Sequence, residues 1–236
     1  IAIVAIIIYT FRDSAGPILK ELSTTAPWVV ITICGAGVMY NVVEGWINYS
    51  FAKQYNPQFT YRMGIESAFY CSFYRVATLG SGAGVAAVYY FNEKGIPVFQ
   101  GTGMYMVEYA IHKVTIAIFS IIFFLLNFGF MKEHYSEYFN LLIAGYVLTA
   151  VIATALFLFC CSKKFHGILL FLVDKLNRKG KFDAQAAMLR EQCGILEDAA
   201  GMLLTKGKLI ASIVAKNLLK FAFCYGIPFV ILYREY

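Results

Sequence analysis

The sequence predicts an all-α protein, a polytopic bundle of membrane-spanning helices, and three observations predict it. Of 236 residues, 60% are apolar and only 14% charged, where soluble domains carry about 45–50% and about 25%. The mean hydropathy is +0.65. The apolar residues also gather in runs of about 20, the length that crosses a hydrocarbon layer as a helix. A globule of this size has no core able to hide so much apolar surface, so lipid is the expected solvent for much of it. The formal net charge of +6 suits either an anionic membrane surface or nucleic acid. The apolar excess favours the membrane, and no direct nucleic-acid binding is expected.

The chain opens in the apolar run 1–9 without a Met and stops at Arg234-Glu235-Tyr236. The expectation is a single transmembrane domain, 1–236, that is a piece of a longer one, with 1–9 the end of a spanning helix. Complete spans are predicted at 27–51, 101–130, 138–161 and 209–233. Between the last two lies the long polar segment 162–208, with Lys163, Lys164, Lys175, Arg178, Lys179, Lys181, Arg190, Lys206 and Lys208. Lys and Arg accumulate in cytoplasmic loops, so this segment is predicted to be a cytoplasmic helical loop of a multi-pass cell (inner or plasma) membrane protein. Within it, 184–204 has Met188, Leu189, Ile195, Leu196 and Leu203 at helical spacing. It is read as an amphipathic helix, either lying on the anionic leaflet or packed under the bundle.

Orientation propagates backward from that loop. Residues 132–137 fall outside and the linker 92–100 inside. The linker 53–62, with Lys53 and Arg62, also belongs inside. Both flanks of the apolar stretch 64–91 then lie on one side, which a single crossing cannot achieve. The stretch is therefore predicted to enter the membrane and return as a broken, re-entrant helix pair. Its middle reads Arg75-Val-Ala-Thr-Leu-Gly-Ser-Gly-Ala-Gly84. Gly80, Gly82 and Gly84, with Ser81, make a poor helix centre. Non-helical backbone at membrane depth needs cover from protein or a wet cavity. Paired half-helices of this kind offer free N–H groups to an anion. The alternative is an ordinary helix with a small-residue packing face through Gly80 and Gly84.

This run, followed by Tyr89-Tyr90-Phe91, by Lys94-Gly95-Ile96-Pro97 and by a helix carrying Glu108, resembles the flippase-like membrane domain of the lysylphosphatidylglycerol synthase (multiple peptide resistance factor) family. The resemblance covers most of the chain. It implies a membrane domain that binds and moves phospholipid, with aminoacylated phosphatidylglycerol as the candidate substrate. The alternative it implies is the membrane portion of a phosphatidylglycerol lysyltransferase, an enzyme of antimicrobial-peptide resistance. The partners implied are an anionic or lysyl-modified phosphatidylglycerol headgroup, and a soluble aminoacyltransferase domain or a second copy of the chain.

Polar residues inside predicted spans form four groups. Asn41, Glu44 and Asn48 share one helix face, and Glu108, His112 and Thr115 share another. Arg75 lies just before the glycine break. Ser212, Lys216 and Lys220 step by four. A charge at the centre of a span costs about 2.5–3.5 kcal/mol on insertion scales and usually faces the bundle interior. In the functional reading these residues line a polar cavity. Arg75 takes a lipid phosphate through its planar fork, Lys216 or Lys220 assists, and Glu44 or Glu108 pairs with them or meets a cationic headgroup. The lipid-binding set is then Arg75, Gly80, Ser81, Gly82, Gly84, Glu44, Glu108 and His112. In the other reading the charges snorkel from helix ends or form structural ion pairs, and this is preferred for Lys216 and Lys220. A scaffold with polar residues as bundle glue is the third possibility.

Cys34, Cys71, Cys160, Cys161, Cys193 and Cys224 form no CxxC pair and read as small apolar residues. His112, His134 and His166 are too scattered for a metal site. The sequence contains no nucleophile–base pair, zinc spacing or P-loop. Hence no catalytic residue, metal or cofactor is expected in this chain.

Overall fold

The computed structural model describes residues 23–177 and 182–235, together with Gly16 and Lys20. The expected span end at 1–9, and Arg178, Lys179 and Lys181 of the polar loop, lie outside them. The described residues are all-α: α1 (Pro27–Ala52), α2 (Tyr61–Ala77), α3 (Ala83–Glu93), α4 (Val98–Leu126), α5 (Phe128–His134), a 3-10 turn (Ser136–Tyr138), α6 (Phe139–Cys161), α7 (Lys163–Leu176), α8 (Asp183–Leu203) and α9 (Gly207–Glu235). Four apolar helical segments are long enough to cross a membrane: Pro27–Ala52, Val98–Leu126, Ser136–Cys160 and Gly207–Pro228. They fall where the hydropathy placed spans. This is a membrane protein with an all-α helical bundle fold.

Local chemistry sets most boundaries. Pro27 stands in the first turn of α1, where its missing N–H costs nothing. Thr60 caps α2 by accepting from Met63 N–H at 3.3 Å, and Ser162 caps α7 by accepting from Phe165 N–H at 3.3 Å, each satisfying an orphan donor. The second span, expected at 101–130, is shifted toward the N-terminus as Val98–Leu126. It ends at Leu126 rather than 130, because Asn127 turns its side-chain amide back onto the Phe123 carbonyl at 2.8 Å and α5 begins anew.

The segment 64–91 is broken, as its glycines predict. Helix α2 runs to Ala77, the chain turns through 78–82, and α3 returns antiparallel beside it. Tyr90 on α3 donates to Glu66 on α2 at 3.0 Å, and the Tyr70 and Tyr90 rings stand 5.7 Å apart. Leu79 and Gly80 take φ of 52° and 99°, the left-handed region that glycine enters freely and a leucine rarely. One end of the hairpin is tied to the other linkers. Asn56 donates to the Lys94 carbonyl at 2.8 Å, and Lys206 donates to Gln54 at 2.7 Å. The connections α1–α2, α3–α4 and α8–α9 therefore meet at one end of the bundle, called here the linker end.

The main core sits at that end, where Ile47 and Phe51 of α1 pack with Phe59, Phe91, Ile96 and Leu203. Helix α1 lies between α2 and α9, while α4 touches α3, α6, α8 and α9. Glycines permit the closest approach. A methyl on Gly45 would lie 2.5 Å from the Ile65 backbone, so α1 and α2 meet backbone to backbone. Helix α6, by contrast, leaves Leu141, Val147, Leu148 and Val151 exposed, as expected of a helix solvated by lipid.

The polar loop resolves into two helices. Of the two placements open for 184–204, the packed one is observed: α8 lies against α4, α6 and α7. Its buried stripe is Ala186, Cys193, Leu196, Ala199, Ala200 and Leu203, whereas Met188 is exposed. The stripe differs from the sequence expectation because small side chains do the packing. Ala199 lies directly over Gly103 of α4. The exposed apolar face belongs to α7, through Ile168, Phe171 and Leu172.

Candidate functional site

At 1.5 Å rise per residue, Glu44 lies about 12 Å along α1 from the linker end. By the same measure Glu108 lies about 15 Å along α4, Lys220 about 20 Å along α9, and His112 and Arg75 about 21 Å along α4 and α2. Four helices thus bring their charged side chains to a common level. In a hydrocarbon layer about 30 Å thick that level is near the middle.

The centre of the group is the Glu44–Lys220 ion pair, a hydrogen bond from the ammonium to the carboxylate. Lys220 is 1% exposed. It therefore does not snorkel to an interface; of the two structural roles weighed for it, the ion pair is the one observed. Its Nζ also stands 3.0 Å from His112 Nδ1 and 5.3 Å from the Tyr40 ring centre. His112 Nδ1 is 3.1 Å from Asn217 Oδ1. Nδ1 cannot both accept from Lys220 and donate to Asn217. These two contacts are mutually exclusive, so His112 chooses between neighbours on successive turns of α9.

Lys216, one turn closer to the linker end, donates to Ser50 at 2.6 Å and covers the Trp46 ring at 4.6 Å. It is held by α1 and stays outside the charged group. Asn41 and Asn48, on the Glu44 face, are consumed by helix packing: Ser72 donates to Asn41 at 2.5 Å, and Asn48 donates to Ser67 at 2.8 Å. Thr115 spends its hydroxyl on the Ile111 carbonyl at 2.7 Å.

Two ionisable side chains of the group have no direct partner of opposite sign among the described residues. Arg75 meets the Tyr40 hydroxyl and stands within electrostatic reach of Glu44 and Tyr105, yet among the described residues no carboxylate lies within ion-pair distance of it. Glu108 is 7% exposed and feels Glu44, Lys220 and Arg75, yet among the described residues it accepts no hydrogen bond. The arrangement therefore holds one satisfied pair, Glu44–Lys220, flanked by a guanidinium without a carboxylate and a carboxyl without a hydrogen-bond donor among the described residues. Together they can receive one anionic and one cationic group.

The glycine turn contributes less than expected. Gly80 N–H donates to the Arg75 carbonyl at 2.7 Å and Ser81 N–H to the Thr78 carbonyl at 3.3 Å. Gly82 N–H donates to Thr78 Oγ1 at 2.6 Å. These amides are used within the turn, and Gly84 is placed by the Tyr105 ring, 3.0 Å from where its Cβ would stand. The structure thus brings Arg75, Glu44, Glu108 and His112 together and leaves Gly80, Ser81, Gly82 and Gly84 as the turn that ends α2 just past Arg75. Tyr40, Tyr105 and Asn217 belong to the site and were not singled out from the sequence. Tyr40 precedes Glu44 by one turn, and that spacing was the only available signal.

Among the described residues no three His, Cys, Asp or Glu side chains gather closely enough to hold a metal ion. In comparison with known proteins, the chain matches no family model, no curated protein and no solved structure.

Proposed function

We propose that this protein binds phospholipid and carries its headgroup across the bilayer, a flippase-like activity. The observation that carries the reading is the mid-depth group of Arg75, Glu108, Glu44, Lys220 and His112. Charges at such depth are costly and mark substrate or ion pathways. Arg75 receives the lipid phosphate, because a guanidinium donates two parallel hydrogen bonds to such an oxyanion. Glu108 receives a cationic substituent such as a lysyl group on phosphatidylglycerol. The Glu44–Lys220 pair holds α1 and α9 while headgroup exposure alternates, and the acyl chains stay in lipid.

The resemblance of the α2–α3 segment to the lysylphosphatidylglycerol synthase membrane domain supports the same class of substrate. In this reading α2–α3 is a re-entrant hairpin, since α3 has 11 residues and reaches only about 16 Å. The linker end and 162–208 face the cytoplasm of a cell membrane. The free-energy source is proton movement or the membrane potential.

The test uses purified protein in vesicles holding fluorescent phosphatidylglycerol, with dithionite added outside. Faster loss of the protected fluorescence than in protein-free vesicles is expected, and Arg75→Ala should reduce it at least tenfold. A rate equal to that of protein-free vesicles would overturn the proposal.

A further inference from the structure

A second feature lies on another face of α4. Tyr109, Lys113, Ile116, Ser120 and Phe123 recur at helical spacing, roughly a quarter turn round the helix from Glu108, His112 and Thr115. This face does not meet α1 or α2. Helices α6 and α9 each pack on α4, and between them lies a cavity of about 920 Å³. Its walls are mostly apolar, with Ile152 and Leu156 from α6 and Tyr225 from α9. A volume of this size is that of a ligand pocket rather than a packing defect.

Lys113 projects from the α4 wall. It lies about 22 Å along α4 from the linker end, again near mid-depth. Its Nζ stands 5.1 Å from the Tyr109 ring centre, and its charge is felt at His112. Among the described residues no carboxylate lies within ion-pair distance of it. An ammonium among mostly apolar walls at this depth is costly without an anion, and the described residues supply none within ion-pair distance. Ser120 lines the same cavity and forms no hydrogen bond among the described residues.

We propose that this cavity binds a single-chain or two-chain amphiphile whose anionic group, a carboxylate or a phosphate, sits on Lys113 while its acyl chain fills the space between α6 and α9. Charge decides the orientation: the walls are mostly hydrocarbon, and Lys113, with Ser120 about two turns further along α4, supplies donors to an oxyanion. The site is separate from the charged group of α1, α2, α4 and α9. It stands whether or not that group carries lipid across the bilayer.

The experiment measures equilibrium binding of tritiated oleate, tritiated dioleoyl phosphatidic acid and uncharged tritiated dioleoylglycerol to the purified protein in detergent. Saturable binding of one molecule of at least one anion is expected, with dioleoylglycerol unsaturable. The oleate and phosphatidic acid arms distinguish a fatty carboxylate from a lipid phosphate. Lys113→Met should weaken the anion about tenfold or more, and Lys113→Arg should retain it. Unchanged affinity in Lys113→Met, or equal binding of dioleoylglycerol, overturns the proposal. Ile152→Trp provides an independent variant, since it fills the cavity from a half-exposed position. It should also weaken the anion, and full binding by the folded variant overturns the location. Arg75→Ala should lose translocation and keep this binding, so the two proposals fail separately.

Discussion

The ammonium of Lys220 on α9 donates to the carboxylate of Glu44 on α1, across 176 residues of chain. Lys220 is enclosed by helices, so its charge is not relieved by water, while Glu44 is mostly buried. Removing one partner of such a pair costs about 3–5 kcal/mol, because the other is left charged and alone. Lys220→Met should therefore destabilise the protein by about that amount. The double variant Glu44→Gln with Lys220→Met should recover most of it. Denaturation in mixed micelles, run as a double-mutant cycle, reads the difference.

Gly64, Gly80 and Gly35 should respond differently to the same substitution. Gly64→Ala drives a methyl into the α1 backbone at Gly45 and should cost about 1–3 kcal/mol, as overpacking does. At Gly80 space is open but φ is +99°, so Gly80→Ala should cost about 1–2 kcal/mol through backbone strain alone. Gly35 is helical with nothing near it, and Gly35→Ala should stabilise by up to about 1 kcal/mol. Equal responses at all three would contradict the packing described for α1 and α2.

If the α2–α3 hairpin turns back within the bilayer, both of its flanks face one compartment. Cysteines placed at the exposed positions Gln58, Glu93 and Lys208 of a cysteine-free protein should react with an impermeant maleimide from the same side. A cysteine at Glu133 should react from the other side. Labelling of the Gln58 and Glu93 positions from opposite sides would show that the segment crosses.

Cys193 lies on α8, in the segment between spans, and is buried. Burial pushes its thiol up, and the nearby Glu197 carboxylate pushes in the same direction. A raised thiol holds less thiolate at neutral pH, and the thiolate is the reactive form. With Cys193 as the sole cysteine, alkylation should be slower than that of a free thiol at neutral pH and should climb as pH rises beyond the usual thiol range. A rate matching an exposed cysteine would mean that α8 does not stay packed on α4. The contact of His166 Nδ1 on α7 with Glu197 on α8 at 3.0 Å ties α8 to its other neighbour.

Much of the fold was legible from local pattern. Hydropathy located the four long helices, because a span must be apolar over its own length whatever its neighbours are. The glycines located the break, since three in five positions disfavour a helix wherever they stand. Helical spacing also showed that Glu44, Glu108 and His112 lie on polar faces. What hydropathy misjudged was α8. Leu196 and Leu203 are buried as their spacing suggested, but the rest of its buried stripe is alanines and a cysteine, whose value is small size at a close approach rather than hydrophobicity.

The sequence by itself determined that this chain is an all-α membrane protein, with a hairpin turning at Gly80 and charged residues at mid-span. Those properties follow from residues close together in the chain. Only the tertiary structure decided that Lys220 answers Glu44 while Arg75 and Glu108 find no ion-pair partner among the described residues, that Gly45 meets Gly64, and that Lys113 lines a cavity. Periodicity tells which face of a helix a side chain occupies. Which helix lies opposite that face depends on how the whole bundle packs, and distant segments settle that together.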